Sequence, residues 1–442
     1  MARGCSLWRM EMDLPRFPAL EGDRSTDVLI IGGGLAGLLC AYQLMKAGVE
    51  CLVVEADQIC GGVTGNTTAK LTVQHGLIYN KLTGWMGPEG AVDYLRANER
   101  ALKEYRRLCK DIDCGFEEAS SYVYTMDAPQ KLRREQEALK AIGCQTLWHE
   151  STELPFPVAA ALEMPDQAHF QPLKFVQAIL PGLDILERTP VRRVDDTVAY
   201  TDRGVIRAKR VLFCTHFPFI DRRGCYFMKM YQHRSYVLAL EGAWPVRGMY
   251  VDQSDRGLSF RKAGELLLLG GGGHRTGKQG GGWEELRRTA HRYWPQSREV
   301  TCWATQDCMT LDAVPYIGRY SPAEPNWYVA TGFNKWGMTS SMTAALLLRG
   351  LLEKGEVDWG RVFDPARTMK PLPLAANIVS STVGLLTPSL RRCPHLGCAL
   401  KWNSREHTWD CPCHGSRFAQ DGKLLNSPAA KAWKGAPAER EK

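Results

Sequence analysis

The chain has 442 residues, 44% hydrophobic and 24% charged, with a formal net charge of +8; that is the balance of a globular protein of two or three domains. The basic pairs Arg106-Arg107, Arg192-Arg193 and Arg222-Arg223 are scattered, which argues against nucleic acid as a partner, although residues 391–442 hold ten Lys or Arg against five Asp or Glu. No apolar run reaches the roughly 18 residues of a bilayer span, and residues 1–22 hold no continuous apolar signal core, so the expected compartment is the cytoplasm.

In chain order, the apolar run 28–31 reads as a buried parallel strand and ends in three glycines. Apolar residues at Leu35, Leu38, Leu39, Tyr42 and Met45 recur at helical spacing, and Gly48 is a plausible stop. Residues 51–54 form a second strand, which completes a β–α–β unit. Residues 91–142 are charged and periodic and read as mostly helical. The segments 235–240 and 265–269 have strand character with no helix close between them, which points to an antiparallel sheet inserted between nucleotide-binding parts. Residues 327–330 read as a strand and 339–352 as a helix. The Pro-rich stretch 364–374 reads as a linker, and 378–386 is a candidate strand.

The first unit carries Gly32-Gly33-Gly34-Leu35-Ala36-Gly37, which fits G-x-G-x-x-G between a strand and a helix. Its glycines make the tight turn, admit a pyrophosphate and let helix and strand pack closely. The helix N-terminus offers free N–H groups and a positive dipole end to phosphates. Glu55 ends the next strand, eighteen residues after Gly37, where a carboxylate can accept ribose hydroxyls. This fingerprint leaves NAD and FAD open. The glycine- and hydroxyl-rich stretch 61–70 favours FAD, as do the segments 312–318 and 330–339. Together they resemble the D-amino-acid-oxidase-like superfamily of FAD-dependent oxidoreductases, the glycine/D-amino acid oxidase type, over roughly the first 355 residues. The resemblance implies that Gly32, Gly34, Gly37 and Glu55 hold the ADP half of FAD. It also implies that Thr67, Thr68 and Lys70 lie along the flavin and that Val191 offers its backbone to the adenine. Gly337, Met338 and Thr339 would present a helix N-terminus to the flavin pyrimidine end, stabilising charge on the reduced ring. Lys335 and Trp336 sit in the flavin-proximal loop of the resemblance and are the candidate catalytic residues. His216, Arg261 and Tyr316 are further polar candidates for the pocket wall. The stretch 272–279 approximates a P-loop but lacks the Ser or Thr after Lys278, and reads as a flexible glycine loop.

Of the fifteen cysteines, four are crowded into 21 residues beside two histidines, in Cys393-Pro394-His395-Leu396-Gly397-Cys398 and Cys411-Pro412-Cys413-His414-Gly415-Ser416. Such a cluster calls for a metal. The spacing is C-x-H-x15-C-x-x-H, each loop offering one thiolate and one imidazole, as a Rieske [2Fe–2S] cluster requires; a Cys2His2 zinc site is the alternative. Both loops closely resemble those of respiratory-type Rieske proteins. That resemblance implies ligation by Cys393, His395, Cys411 and His414, and a disulfide between Cys398 and Cys413. It also sets Phe418 where many high-potential members have a tyrosine, and leaves only 378–386 as a base strand ahead of the first loop.

The expected fold is α/β: a Rossmann-like FAD-binding domain with an inserted antiparallel-sheet substrate domain, and a small all-β Rieske segment at the C-terminus. The oxidoreductase is expected over 1–360, with the inserted part at roughly 80–185 and 225–305. A linker and shortened base strand follow at 361–386, and the cluster domain spans 387–442. The expected function is oxidation of a small molecule, an amine or amino acid, with electrons leaving through the cluster to an external acceptor such as an acidic redox protein. The alternatives are an electron-transfer module without its own small substrate, and a flavin oxidase whose tail is degenerate or binds zinc.

Overall fold

A computed structural model describes residues 4–220, 223–244, 246–254 and 257–433; Arg222 and residues 434–442 of the expected cluster domain lie outside the described residues. The first sheet runs Tyr316–Ser321, Glu324–Thr331, Val205–Phe213, Arg24–Ile31, Cys51–Val54, Asp184–Leu186. Among these six the neighbours are parallel except the first pair, and an antiparallel ribbon of Val191–Asp195 and Val198–Thr201 joins Val205–Phe213. Leu29, Ile30 and Val53 are fully buried because this sheet is covered on both faces, which is why its strands are continuously apolar. Helices Leu35–Lys46 and Gly337–Lys354 pack together within the same core cluster as Ile30 and Val53.

The second sheet has nine strands, ordered Arg298–Thr310, Met230–Glu241, Leu266–Arg275, Ser259–Ala263, Met249–Asp252, Glu117–Thr125, Ala160–His169, Lys70–Leu71, with Leu147–His149 also on Ala160–His169. It is antiparallel as expected, save where Met249–Asp252 runs parallel to Glu117–Thr125. It draws in Lys70–Leu71 and extends to Thr310, while Asp184–Leu186 belongs to the first sheet.

Residues 91–142 are mostly helical as expected, but helix Ile78–Cys109 and helix Pro129–Ala141 flank an unforeseen strand, Glu117–Thr125. Tyr122, Val123 and Tyr124 supply the aromatic and β-branched side chains that a pleated, half-buried surface favours, and the charged periodicity on either side hides them. The candidate base strand 378–386 is the end of a helix, Pro371–Leu386, so the expected linker is also helical from 371. Pro371 starts it where a missing N–H costs nothing. Asn377 and Gly384, seven residues apart, share its buried face, while Leu372, Val379, Val383 and Leu386 are exposed. Asn377 accepts from Arg275 at 2.7 Å and donates to Met228 O at 2.9 Å.

The third sheet is a four-stranded antiparallel meander, Lys401–Asn403, Thr408–Asp410, Arg417–Ala419, Leu424–Asn426. Its core holds Cys393, Cys398, Cys411, Cys413, Leu400, Phe418, Ala429 and Trp433.

Candidate functional site

The glycine fingerprint lies between strand Arg24–Ile31 and helix Leu35–Lys46. Gly32 has φ 114°, and a Cβ there would press on Cys214 O; a Cβ on Gly37 would collide with Gly32 O. Those two glycines serve the turn and the helix–strand approach. Gly34 differs: the nearest atom to a Cβ built there is Thr64 Oγ1 at 3.5 Å, so the space before it is open. That is the cradle a pyrophosphate needs. Glu55 stands beside it, Oε2 accepting from Gly33 N at 2.8 Å and Oε1 from Asp57 N at 3.0 Å. Burial pushes its carboxyl upward, and each oxygen keeps a lone pair for a ribose hydroxyl. Val191, half-buried, opens the ribbon that edges the same sheet.

The strap 67–72 is tied in from three sides. Trp8 Nε1 donates to Thr67 O at 2.7 Å, and Arg261 donates to Ala69 O at 2.9 Å. Thr339, on the first turn of helix Gly337–Lys354, donates to Thr72 O at 2.9 Å and accepts from Thr72 N at 3.1 Å. The structure therefore joins Thr67, Thr68 and Lys70 to the helix start at Gly337, Met338 and Thr339. Lys70 Nζ reaches Thr68 Oγ1 at 3.3 Å; burial, then the nearby Arg261 charge, brings its amine down to about 7. The residues meet the demands of FAD: a phosphate cradle, a ribose carboxylate, a helix N-terminus and cationic groups beside the strap.

Lys335 is exposed with φ 72°, and Trp336 is stacked on the buried His75 at 4.9 Å, a packing contact. Tyr316 packs under Arg367 at 4.0 Å. Lys335 lies in the field of Asp307 and His233, which pair across strands Met230–Glu241 and Arg298–Thr310. Burial pushes Asp307 up to about 6 and His233 down to about 3. Sequence reasoning missed both, since a polar residue in an alternating strand carries no motif.

The two cluster loops share one backbone design. Cys393 N donates to Cys398 O at 2.8 Å and Gly397 N returns to Cys393 O at 2.9 Å. In the second loop Cys411 N donates to Ser416 O at 2.8 Å and Gly415 N returns to Cys411 O at 3.0 Å. Gly397 and Gly415 take φ 83° and 89°, a conformation that favours glycine. These closures bring the rings of His395 and His414 to 4.9 Å, nearly perpendicular. His414 Nδ1 is buried without a hydrogen-bond partner, as a metal-ligating nitrogen would be. The sulfurs of Cys398, Cys411 and Cys413 lie within 4.8 Å of one another. All four cysteines carry thiols. Cys393 is lowered to about 6 by its hydrogen bond with Cys411, whose own thiol is pushed up. Two cysteines and two histidines on facing loops are the donor set of a Rieske centre.

The cluster domain is seated on the second sheet. Arg234 Nε donates to Glu406 Oε1 at 2.8 Å, and Tyr236 OH donates to the same oxygen at 3.0 Å. Arg417 bridges Glu406 and Asp410 at 2.9 and 3.0 Å. Gln232 and Gln306 donate to carbonyls of the second cluster loop, and Phe227 meets the His414 ring edge-on at 5.9 Å.

Comparison with known proteins agrees with this geometry. Residues 27–351 match the family model FAD dependent oxidoreductase, and residues 378–437 match the Rieske [2Fe-2S] domain. The Rieske 2Fe-2S iron-sulfur protein YhfW of Bacillus subtilis (strain 168) is 35% identical over 97% of this chain and 96% of its own. The cytochrome b6-f complex iron-sulfur subunit of Synechococcus sp. (strain JA-3-3Ab) is 48% identical over 40 residues, 9% of this chain and 23% of that protein. Glycine oxidase from Geobacillus kaustophilus shares the fold at TM-score 0.65 and 19% identity, over 78% of this chain and 100% of that one. L-proline dehydrogenase from P. horikoshii does so at 0.64 and 18%, over 78% and 98%. Among the described residues no helix is long and apolar enough to cross a membrane. The phosphate cradle and the paired Cys/His loops thus belong to one chain, a member of the FAD-dependent oxidoreductase family that carries a C-terminal Rieske [2Fe–2S] domain.

Proposed function

We propose that this oxidoreductase oxidises a small amine or amino acid and passes the electrons through its Rieske centre to an acceptor outside the chain. Bound FAD accepts two electrons and can release them singly, and a histidine-ligated cluster carries one at a time. Each turnover takes two electrons and two protons from the substrate; the protons go to water and the electrons leave in two passages. Gly32, Gly34, Gly37 and Glu55 bind the ADP half, Val191 offers backbone to the adenine, and Thr67, Thr68 and Lys70 line the flavin with Gly337, Met338 and Thr339. Lys335 orients the substrate beside Asp307, and Trp336 forms the wall behind it. Cys393, His395, Cys411 and His414 bind the irons, and Cys398 and Cys413, thiols in this structure, form a disulfide on oxidation that locks the loops. In this reading residues 1–360 are the oxidoreductase, 361–386 the connection and 387–442 the cluster domain, whose basic excess attracts an acidic redox partner.

The observation that carries the reading is the shared strand pair Met230–Glu241 and Arg298–Thr310. Successive side chains on a strand point to opposite faces. Gln232, Arg234 and Gln306 hold the cluster domain, while the next residues in line, His233 and Asp307, lie near Lys335. The names of the glycine oxidase and L-proline dehydrogenase neighbours support an amino-acid-like substrate. The test is anaerobic mixing with a panel of amines and amino acids, following flavin bleaching and then cluster reduction. A substrate that bleaches the flavin while the cluster stays oxidised overturns the route.

A further inference from the structure

We propose that Gln232 and Gln306 are positioning residues that clamp the second cluster loop to the flavin half, making His414 the ligand through which electrons enter. The proposal rests on the flavin-to-cluster reading above. Both amides are buried, 1% and 2% exposed. Gln232 Nε2 donates to His414 O at 2.8 Å and to Ser427 O at 2.7 Å. Gln306 Nε2 donates to Gly415 O at 2.8 Å and to Gln232 Oε1 at 2.6 Å, and Gln306 Oε1 accepts from the Thr276 hydroxyl at 3.2 Å. Three carbonyls of the cluster domain therefore take all their donors here from two side chains. The amide orientations are determined by this chain, because turning either one would set oxygen against carbonyl oxygen.

Register explains why these residues can act together. Gln232 pairs with Cys308 and Arg234 with Gln306 across the two strands, so Gln232, Arg234 and Gln306 share one face. The loop fits this face closely, since a Cβ on Gly415 would run into the Gln232 side chain. On the flavin side lies His216, two residues beyond Cys214, whose carbonyl touches the fingerprint turn at Gly32. The His216 side chain faces Gln232 and the Gln306 backbone; burial holds it at about 4, and Nε2 has no hydrogen-bond partner. Half-buried His216 and the buried Gln232, Gln306 and His414 thus link the nucleotide-binding sheet to the cluster loop. The His414 carbonyl takes the Gln232 bond and its ring, 2% exposed, meets Phe227 edge-on at 5.9 Å, whereas His395 is half-exposed. A bound cluster would take electrons through His414, the ligand on the oxidoreductase side, with the cluster domain seated throughout.

The test is Gln306→Glu in the full-length holoprotein, nearly isosteric but offering an oxygen where Gly415 O and Gln232 Oε1 need a donor. Two readouts are followed: amide hydrogen exchange in residues 411–429, and the ratio of the cluster-reduction rate to the flavin-bleaching rate in anaerobic stopped flow. Losing two buried hydrogen bonds predicts exchange faster by about tenfold and a ratio lower by about tenfold. Thr276→Val, which removes only the bond to Gln306 Oε1, should move both readouts in the same direction by less, and serves if Gln306→Glu fails to fold. Unchanged exchange overturns the clamp. Faster exchange with an unchanged ratio overturns His414 as the entry point. If the wild-type protein bleaches without reducing its cluster, the functional reading fails, while exchange still decides the clamp.

Discussion

The flavin half and the cluster half build their sites from different parts of the chain. The proposed flavin cradle is largely backbone: a glycine turn with φ 114° at Gly32, open space before Gly34 and the start of helix Gly337–Lys354. The cluster site is side chains, with two cysteines and two histidines held by two loops of matching backbone closure. A backbone site tolerates changes in side chains and fails when a Cβ appears, whereas a ligand site fails when one side chain goes. The largest expected effect follows from this contrast. Cys411→Ser should lose all iron and acid-labile sulfide while keeping near-stoichiometric FAD. Loss of both together, read by metal analysis and the visible spectrum, would mean that the halves do not fold independently.

Within the fingerprint, two glycines should separate stability from binding. A Cβ on Gly37 meets the Gly32 carbonyl, with no room to shift, so Gly37→Ala should cost about 2–3 kcal/mol. Gly34→Val places its bulk in the open cradle and should leave the melting temperature of flavin-free protein nearly unchanged while abolishing FAD retention. If Gly34→Val keeps full flavin, the phosphates lie elsewhere.

The same contrast decides what could be read without a structure. The glycines at Gly32, Gly34 and Gly37, Glu55 and the Cys/His loops were legible because each residue type is demanded by local geometry at fixed spacing. The β–α–β unit was legible because burial on both faces leaves an uninterrupted apolar run such as Leu29–Ile30. Strand Glu117–Thr125 was hidden between two charged helices. Helix Pro371–Leu386 was hidden because Ile378, Val379, Thr382 and Val383 suggest a strand, while the residues that fix it as a helix, Asn377 and Gly384, matter only through partners distant in sequence. The seat at Gln232, Arg234, Gln306 and Glu406 was illegible for the same reason, since 172 residues separate Arg234 from Glu406.

That seat supplies the next prediction. Glu406 is almost fully buried between Arg234 and Arg417. Arg234→Met removes one of its two described arginines and leaves Arg417 and the Tyr236 hydroxyl. Breaking a buried pair costs about 3–5 kcal/mol when the charge is abandoned; with one partner retained, about 2 kcal/mol is expected. Thermal unfolding should show the Rieske absorbance lost before the flavin signal, where the parent loses both together. A single unchanged transition would mean that the ion cluster contributes little to docking.

The smallest expected effect of a substitution is at Glu135 and is read by pH. Glu135 caps the start of helix Ile78–Cys109, accepting from Tyr79 N at 2.9 Å and Asn80 N at 2.8 Å, and burial raises its carboxyl from 4.5 to about 7. The folded chain therefore holds a proton between pH 4.5 and 7 that the unfolded chain releases. Its contribution to stability is complete below the unfolded value and is lost as pH rises to about 7, a change of up to roughly 3 kcal/mol. Glu406 has the opposite sign: despite burial, the Arg234 and Arg417 charges hold it well below the usual carboxylate range, so its contribution persists above 4.5 and declines only in stronger acid. From pH 5 to 7 the contribution of Glu135 should fall while that of Glu406 stays constant; His216 and His233, held neutral by burial, act with the opposite sign, so the comparison with Glu135→Gln isolates the carboxyl. Glu135→Gln cannot titrate and satisfies one of the two N–H groups, so it should lose about 1 kcal/mol at pH 7 and flatten the slope. Denaturant unfolding of both proteins at pH 5, 6 and 7 measures this, and parallel pH slopes would show that Glu135 is ionised throughout and that the pH dependence of this half lies in other buried groups.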